Sequence, residues 1–329
     1  MKKHLLTLFA LMTAGLTALA VSNNTVEIVY NGQTATVTVA SNISSYVTVQ
    51  SGTSSHVKIV QAESFAGVNP TTSNSDGEII YVLSGTSADG EFYLEGSFKC
   101  TVNLNGITLT NPSGPAINIQ NGKRVEVSAK SGTTNTLKDG ANADYNGCYH
   151  CKGHTKFKGK GTLNVVGNSK HAIYSKEYIE VKNLTINVTG AVKDGIHCKE
   201  YFLMESGTVK ISGVQEDGVQ VEWANEPVTG ITADHEDENT GNFYMTGGTL
   251  TISGYSGKAI KADGTITYNG GTRNFDTSDT VINADISEMT VGGAQPQYYT
   301  LSGTAVSMPQ SGAVYIVRQG SRTYKTIVK

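Results

Sequence analysis

Between residues 116 and 263 one five-residue phrase keeps returning, and a return at that distance limits the chain to a repeat architecture. The segments AINIQ (116 to 120), CYHCK (148 to 152), AIYSK (172 to 176), GIHCK (195 to 199), GVQVE (218 to 222) and AIKAD (259 to 263) align without gaps. Their first residues are separated by 32, 24, 23, 23 and 41, so the basic unit is 23 residues. Behind several of these phrases comes a second apolar pair, Ile179/Val181 or Phe202/Met204, and then a third, Ile186/Val188 or Val209/Ile211. Three short strands per unit predict an all-β chain, a right-handed single-stranded parallel β-helix. A propeller blade needs four strands and roughly 40 residues, more than this unit holds.

Strand alternation assigns the faces. Positions two (Ile117, Tyr149, Ile173, Ile196, Val219, Ile260) and four (Ile119, Cys151, Ser175, Cys198, Val221, Ala262) point inward. Cys151 and Cys198 then lie two rungs apart, about 9.6 Å at a strand spacing of ~4.8 Å, too far for a disulfide. All four cysteines (Cys100, Cys148, Cys151, Cys198) are expected as buried thiols, with a zinc site from Cys148, Cys151 and nearby histidines as the alternative.

Residues 1–20 carry Lys2 and Lys3, an apolar run and the small-residue ending Ala18-Leu19-Ala20, which predicts a signal peptide and a secreted or cell-surface protein. The run is too short for a stable membrane span. Without Lys2 and Lys3, 23 basic residues face 28 acidic ones, a net charge of −5 that argues against nucleic-acid binding. The alternating stretches of 21–95 are expected to form an N-terminal β cap, 96–272 the β-helix, 273–297 a linker and 298–329 a small C-terminal β tail.

The outward positions carry the candidate chemistry. Position three reads Asn118, His150, Tyr174, His197, Gln220, Lys261, and position five reads Gln120, Lys152, Lys176, Lys199, Glu222, Asp263. Three stacked lysines beside a His-Tyr-His ladder repel one another, and an anionic polymer with sugar faces for stacking would relieve that repulsion. The plainer reading is a solvated polar strand, neutralised by Glu180 and Glu205 on neighbouring strands. A second group is acidic. Asp194 and Asp217 occupy the same turn in successive rungs, with Glu216 and Glu222 close in sequence, and stacked carboxylates are expected to need a cation such as calcium. After Glu222 the period is broken by WANEPVTGITADHEDENT, which holds Trp223, the sole tryptophan, and an acidic run at 234–238 read as a solvated loop.

The run from about Thr101 to Asp263 resembles the secreted bacterial carbohydrate-binding β-helix family. The resemblance is carried by NLNGITLTNPSGPAINIQNG, SGTTNTLKDG, KHAIYSK, KDGIHCK, EDGVQVE and GGTLTISG. It implies a polysaccharide-lyase-like fold, binding of cellulose or acidic sugars, and calcium. The last thirty residues resemble the C-terminal sorting tails of Bacteroidetes secreted proteins. The expectation is therefore a non-catalytic protein whose partner is a polysaccharide, held by His150, Lys152, Tyr174, Lys176, His197 and Lys199, with calcium at Asp194, Glu216, Asp217 and Glu222. The alternatives are a calcium-dependent pectate-type lyase, with one of the three lysines as base, and a structural surface protein. Interchangeable lysines suit binding along a chain better than catalysis, which singles out one residue.

Overall fold

The computed structural model describes residues 21–63, 78–141, 144–224, 238–276, 297–307, 309–319 and 322–328. The expected signal peptide, most of the 234–238 acidic run and most of the expected linker lie outside the described residues.

The chain is a parallel β-helix with three faces. Strands His56–Gln61, Glu91–Gly96, Ile117–Asn121, Gly147–Cys151, His171–Ser175, Ile196–Lys199, Val219–Glu222 and Ile260–Ala262 stack in parallel as the first face. The second face runs Val125–Ala129, Thr155–Gly159, Ile179–Lys182, Tyr201–Met204, Asn242–Met245, Ile266–Tyr268. The third runs Thr134–Asp139, Thr162–Gly167, Thr185–Ala191, Thr208–Val214, Thr249–Tyr255, Thr272–Phe275. One long strand, Cys100–Asn111, serves both of these faces: Cys100–Leu104 pairs with Val125–Ala129, and Thr108–Asn111 pairs with Thr136–Asp139. It turns at Gly106, whose φ of 78° suits glycine, and the buried Asn135 Oδ1 accepts the N–H groups of Gly106 and Ile107 at 2.9 and 3.1 Å.

The core follows from the repeat. Ile173 is paired with Ile196 and Ile196 with Val219, and these side chains are fully buried. Cys151 and Cys198 occupy the next inward column; all four cysteines are free and buried, as small apolar side chains would be. Ser175 sits in that column between them and is satisfied by its own corner, donating to the Gly153 carbonyl at 2.7 Å. The Asp-Gly pairs of KDGIHCK and EDGVQVE have a packing reason. A Cβ at Gly195 would stand 2.5 Å from Ile211 Cγ2, and one at Gly218 would stand 2.5 Å from the Ala259 carbonyl oxygen. The backbone of the first face there approaches the third face and the next rung too closely for a side chain.

The stretch 21–95 divides between two roles. Thr25–Asn31 pairs antiparallel with Thr34–Val39, and Val47–Val49 antiparallel with His56–Gln61. His56–Gln61, Ile79–Ser87 and Glu91–Gly96 also enter the same parallel sheets as the repeats, and Thr25–Asn31 pairs in parallel with Ile79–Ser87. Val57 and Phe92 stack below Ile117 in the inward column. The helix therefore begins ahead of the visible period, because these first rungs have connections of other lengths. The chain divides into a unit ending at Asn283 and a second unit from Ala284. The second unit is a four-stranded antiparallel sheet of Gln297–Tyr299, Ala305–Val306, Val314–Gln319 and Arg322–Ile327. No described helix is long and apolar enough to cross a membrane.

Candidate functional site

The outward ladder of the first face forms in the register that alignment predicts. Asn118, His150, Tyr174, His197, Gln220 and Lys261 are successive neighbours, and Lys58 and Tyr93 extend the column backwards by two rungs. The rings at its centre stack on one another: His150 on Tyr174 at 5.2 Å and 15°, Tyr174 on His197 at 5.4 Å and 30°. Tyr174 and His197 are each only 7% exposed, so they offer edges rather than the open faces expected for sugar stacking. Stacking at the rung spacing consumes the π faces within the ladder itself.

The three lysines are not equivalent. Lys199 Nζ lies 3.6 Å from Glu222 Oε2 in the next rung. Lys152 and Lys176 are exposed and form no ion pair with a described residue. Glu180 and Glu205 do not neutralise them, being taken by Lys156 at 3.1 Å and Lys182 at 2.5 Å on the second face.

Asp194, Glu216, Asp217 and Glu222 do not converge. Asp194 is fully buried, and its Oδ2 lies 2.9 Å from His197 Nδ1 and 3.1 Å from His171 Nδ1. Its Oδ1 accepts the Asp217 N–H at 2.8 Å, and Asp217 Oδ1 in turn accepts the Lys258 N–H at 2.7 Å. Each stacked aspartate thus caps the backbone of the rung above it. Glu216 turns to Lys193 at 3.5 Å; Glu222 turns to His197 Nε2 at 3.5 Å and to Lys199. Calcium takes six to eight oxygen ligands, and carboxylates already engaged by imidazoles, amides and ammonium groups do not fit it.

Electrostatics sets the charge states in this network. Burial opposes ionisation of Asp194, but His171 and His197 outweigh it and hold the carboxyl well below its ordinary range. In His197 burial is likewise outweighed, by hydrogen bonds to Asp194 and Glu222, and its value is raised. His171 and His150 go the other way: burial lowers both, His150 to about 4 with help from the Lys170 charge. Glu222 is drawn down to about 2, first by His197 and then by Lys199.

Around His197 lies a shallow depression of about 310 Å³, bordered by Lys170, Lys193 and Lys199 with His171, Tyr174, Asn146 and Glu222. Alignment by the core phrase overlooks Asn146, Lys170, His171 and Lys193, because they precede the phrase, His171 as the first residue of its strand and the others in the preceding turns. Their signal is nonetheless present, since Lys170 and Lys193 are the first letters of KHAIYSK and KDGIHCK. Cationic columns therefore flank the His-Tyr-His ladder on both sides. Trp223, directly after Glu222, is 41% exposed.

The depression is cationic and edged by aromatic rings, and comparison with known proteins points to carbohydrate binding. Residues 67–314 match the model of a family described as carbohydrate-binding domain-containing proteins. The chain belongs to that family. Among solved structures, this carbohydrate-binding domain protein is similar to the polysaccharide lyase-like protein from C. thermocellum, solved as a gadolinium derivative. The likeness has a TM-score of 0.59 at 20% identity and covers 75% of this chain and 99% of the other, which shows the shared fold. No match is found among curated proteins.

Proposed function

We propose that the first face of this carbohydrate-binding protein holds an acidic polysaccharide, laid across the rungs along the His150–Tyr174–His197 column, and does not turn it over. One observation carries the reading: Lys152 and Lys176 stack in adjacent rungs, exposed and without an ionic partner among the described residues. Like charges directly opposite each other are unfavourable, and carboxylates spaced along a polymer relieve them. Lys170 and Lys193 on the far side of the ladder favour the same ligand, and favour it over neutral cellulose. The ring edges supply hydrogen-bonding groups for hydroxyls. Trp223, exposed at the C-terminal end of the strip, offers the open aromatic face that the ladder lacks.

The pattern of residues 1–20 supports action outside the cell or on its surface, and the tail at 298–329 is proposed as the sorting element. Calcium is not required at Asp194, Glu216, Asp217 and Glu222 in this reading. The test is co-sedimentation with polygalacturonate and with cellulose, each with calcium or with chelator, while ultraviolet absorbance monitors unsaturated products. Retention on polygalacturonate that survives chelation, without new absorbance, is expected. Release of unsaturated products would establish a lyase instead, and absence of retention by the folded protein would leave a structural role.

A further inference from the structure

One corner away from the lysine ladder, between the first and second faces, three ligand-type side chains meet. His154 Nε2 lies 2.9 Å from Glu177 Oε2 and 3.2 Å from Glu200 Oε2. These groups come from three successive rungs, brought together by the 23-residue period. Glu177 and Glu200 directly follow Lys176 and Lys199, but neither forms an ion pair with a described lysine or arginine. The His154 ring is held in place by stacking on Tyr178 at 4.1 Å and 12°.

Two features of this corner call for something besides hydrogen bonding. An imidazole Nε2 carries at most one hydrogen, so it can donate to only one of the two carboxylates that face it. In addition, Glu177 Oε2 is buried, and its contact with His154 Nε2 at 2.9 Å is an ion-pair contact not aligned as a hydrogen bond, so the oxygen accepts none among the described residues. A buried acceptor left unpaired is costly, and such atoms are rare enough to require an explanation. Glu200 adds a smaller sign. It sits at φ 67°, a left-handed conformation that favours glycine, and Gly241 holds that conformation at the neighbouring place in the next rung. The chain keeps a carboxylate where its own repeat elsewhere uses glycine.

We propose that His154 Nε2, Glu177 and Glu200 form a binding site for a divalent transition-metal ion, zinc foremost. Donors bound at about 2.0–2.2 Å to one such ion stand roughly 3 Å apart, which is the spacing of His154 Nε2 from each glutamate, and all three ligand atoms lie within 4.8 Å of one another. An imidazole nitrogen beside two carboxylates selects zinc and its first-row neighbours over calcium, whose ligands are oxygens. The three side chains are 18–26% exposed, so water can complete the coordination shell. A cation there would coordinate the Glu177 oxygen that accepts no hydrogen bond and would hold both carboxylates, which a single N–H cannot do. Among the described residues the other group with metal-ligand spacing is His171, Asp194 and His197, whose atoms already satisfy one another on the first face. The proposal is independent of the glycan reading.

The experiment is titration of the chelator-treated protein with zinc by calorimetry, with cobalt by visible absorption and with calcium as the contrasting ion, on wild type and on H154Q, E200Q and H197Q. Expected are one zinc per chain, a visible cobalt band, a Tm raised by zinc and no saturable calcium binding at this corner. H154Q and E200Q should weaken zinc by more than about 100-fold, beyond the 10–100-fold that loss of an outer-shell partner costs. H197Q should leave zinc binding unchanged. Zinc affinity unaltered in H154Q and E200Q, or lost in H197Q, would overturn the assignment. If the corner variants fail to fold, anomalous scattering from zinc-soaked wild-type crystals decides it, and absence of a peak between His154, Glu177 and Glu200 refutes the site.

Discussion

The first and third faces of the helix share a backbone and a rung spacing, yet they present opposite chemistry. On the third face Thr134, Thr162, Thr185, Thr208, Thr249 and Thr272 form one unbroken column. The column beside it reads Thr136, Asn164, Asn187, Lys210, Thr251, Asn274, in which Asn187 Nδ2 donates to Asn164 Oδ1 at 2.9 Å. Such a ladder is neutral but for one lysine, and it suits the pleat through β-branched residues. It shows what this solenoid does with a face that need only meet water. The first face departs from that solution with rings, buried histidines and lysines on both sides. Polar strands alone do not account for it, because the same chain makes polar strands by another recipe.

The largest effect that would test this contrast is on stability. Asp194→Ala removes a fully buried carboxylate that serves two imidazoles and a backbone amide. Breaking a buried charge network of this kind costs about 3–5 kcal/mol, read by urea unfolding. A cost under about 1 kcal/mol would mean that the network is dispensable and the face no more organised than the third.

Next comes binding. K152S/K176S should weaken retention on polygalacturonate by at least about tenfold, equivalent to about 1.4 kcal/mol. K210S on the third face should change nothing, and equal losses in both variants would reduce the contrast to net charge. Lys199→Ser should matter less than the double substitution because Glu222 already compensates Lys199, and Glu222→Gln should tighten binding by freeing that ammonium.

A pH series sharpens the comparison further. His197 is raised, so its contribution to stability is full below the unfolded histidine value of about 6.5 and fades as pH rises through the folded value. Asp194 and Glu222 are lowered, so theirs is full above the unfolded carboxyl values of about 4 and fades as pH falls through the folded ones. The gap in Tm between wild type and H197Q should therefore be widest near about pH 5.5 and narrow toward either extreme. A gap independent of pH would mean that His197 acts through packing alone. The smallest effect belongs to the third face: Thr185→Ala should stay within about 0.5 kcal/mol and leave glycan retention untouched.

Much of the molecule could be read from the period. Pairing residues at intervals of 23 puts Ile173, Ile196 and Val219 inside with Cys151 and Cys198, and sets His150, Tyr174 and His197 in one outward column. Those are consequences of alternation, which depends on local order along a strand. The rungs at His56–Gln61 and Glu91–Gly96 escaped the same reading because 35 and 25 residues separate Val57, Phe92 and Ile117. An irregular spacing leaves no phrase to align, although the strands meet in the same register.

By itself, then, the sequence determined the solenoid, its three strands per rung and which side chains face out. Only the tertiary structure decided what those outward side chains do. Asp194 and Asp217 became caps for the next rung, Lys199 was paired while Lys152 and Lys176 formed no ion pair with a described residue, and His154 met two glutamates across a corner. The physical reason is that each partnership joins residues one or two rungs apart. It is fixed by turn conformation and by side-chain directions that alternation alone does not specify.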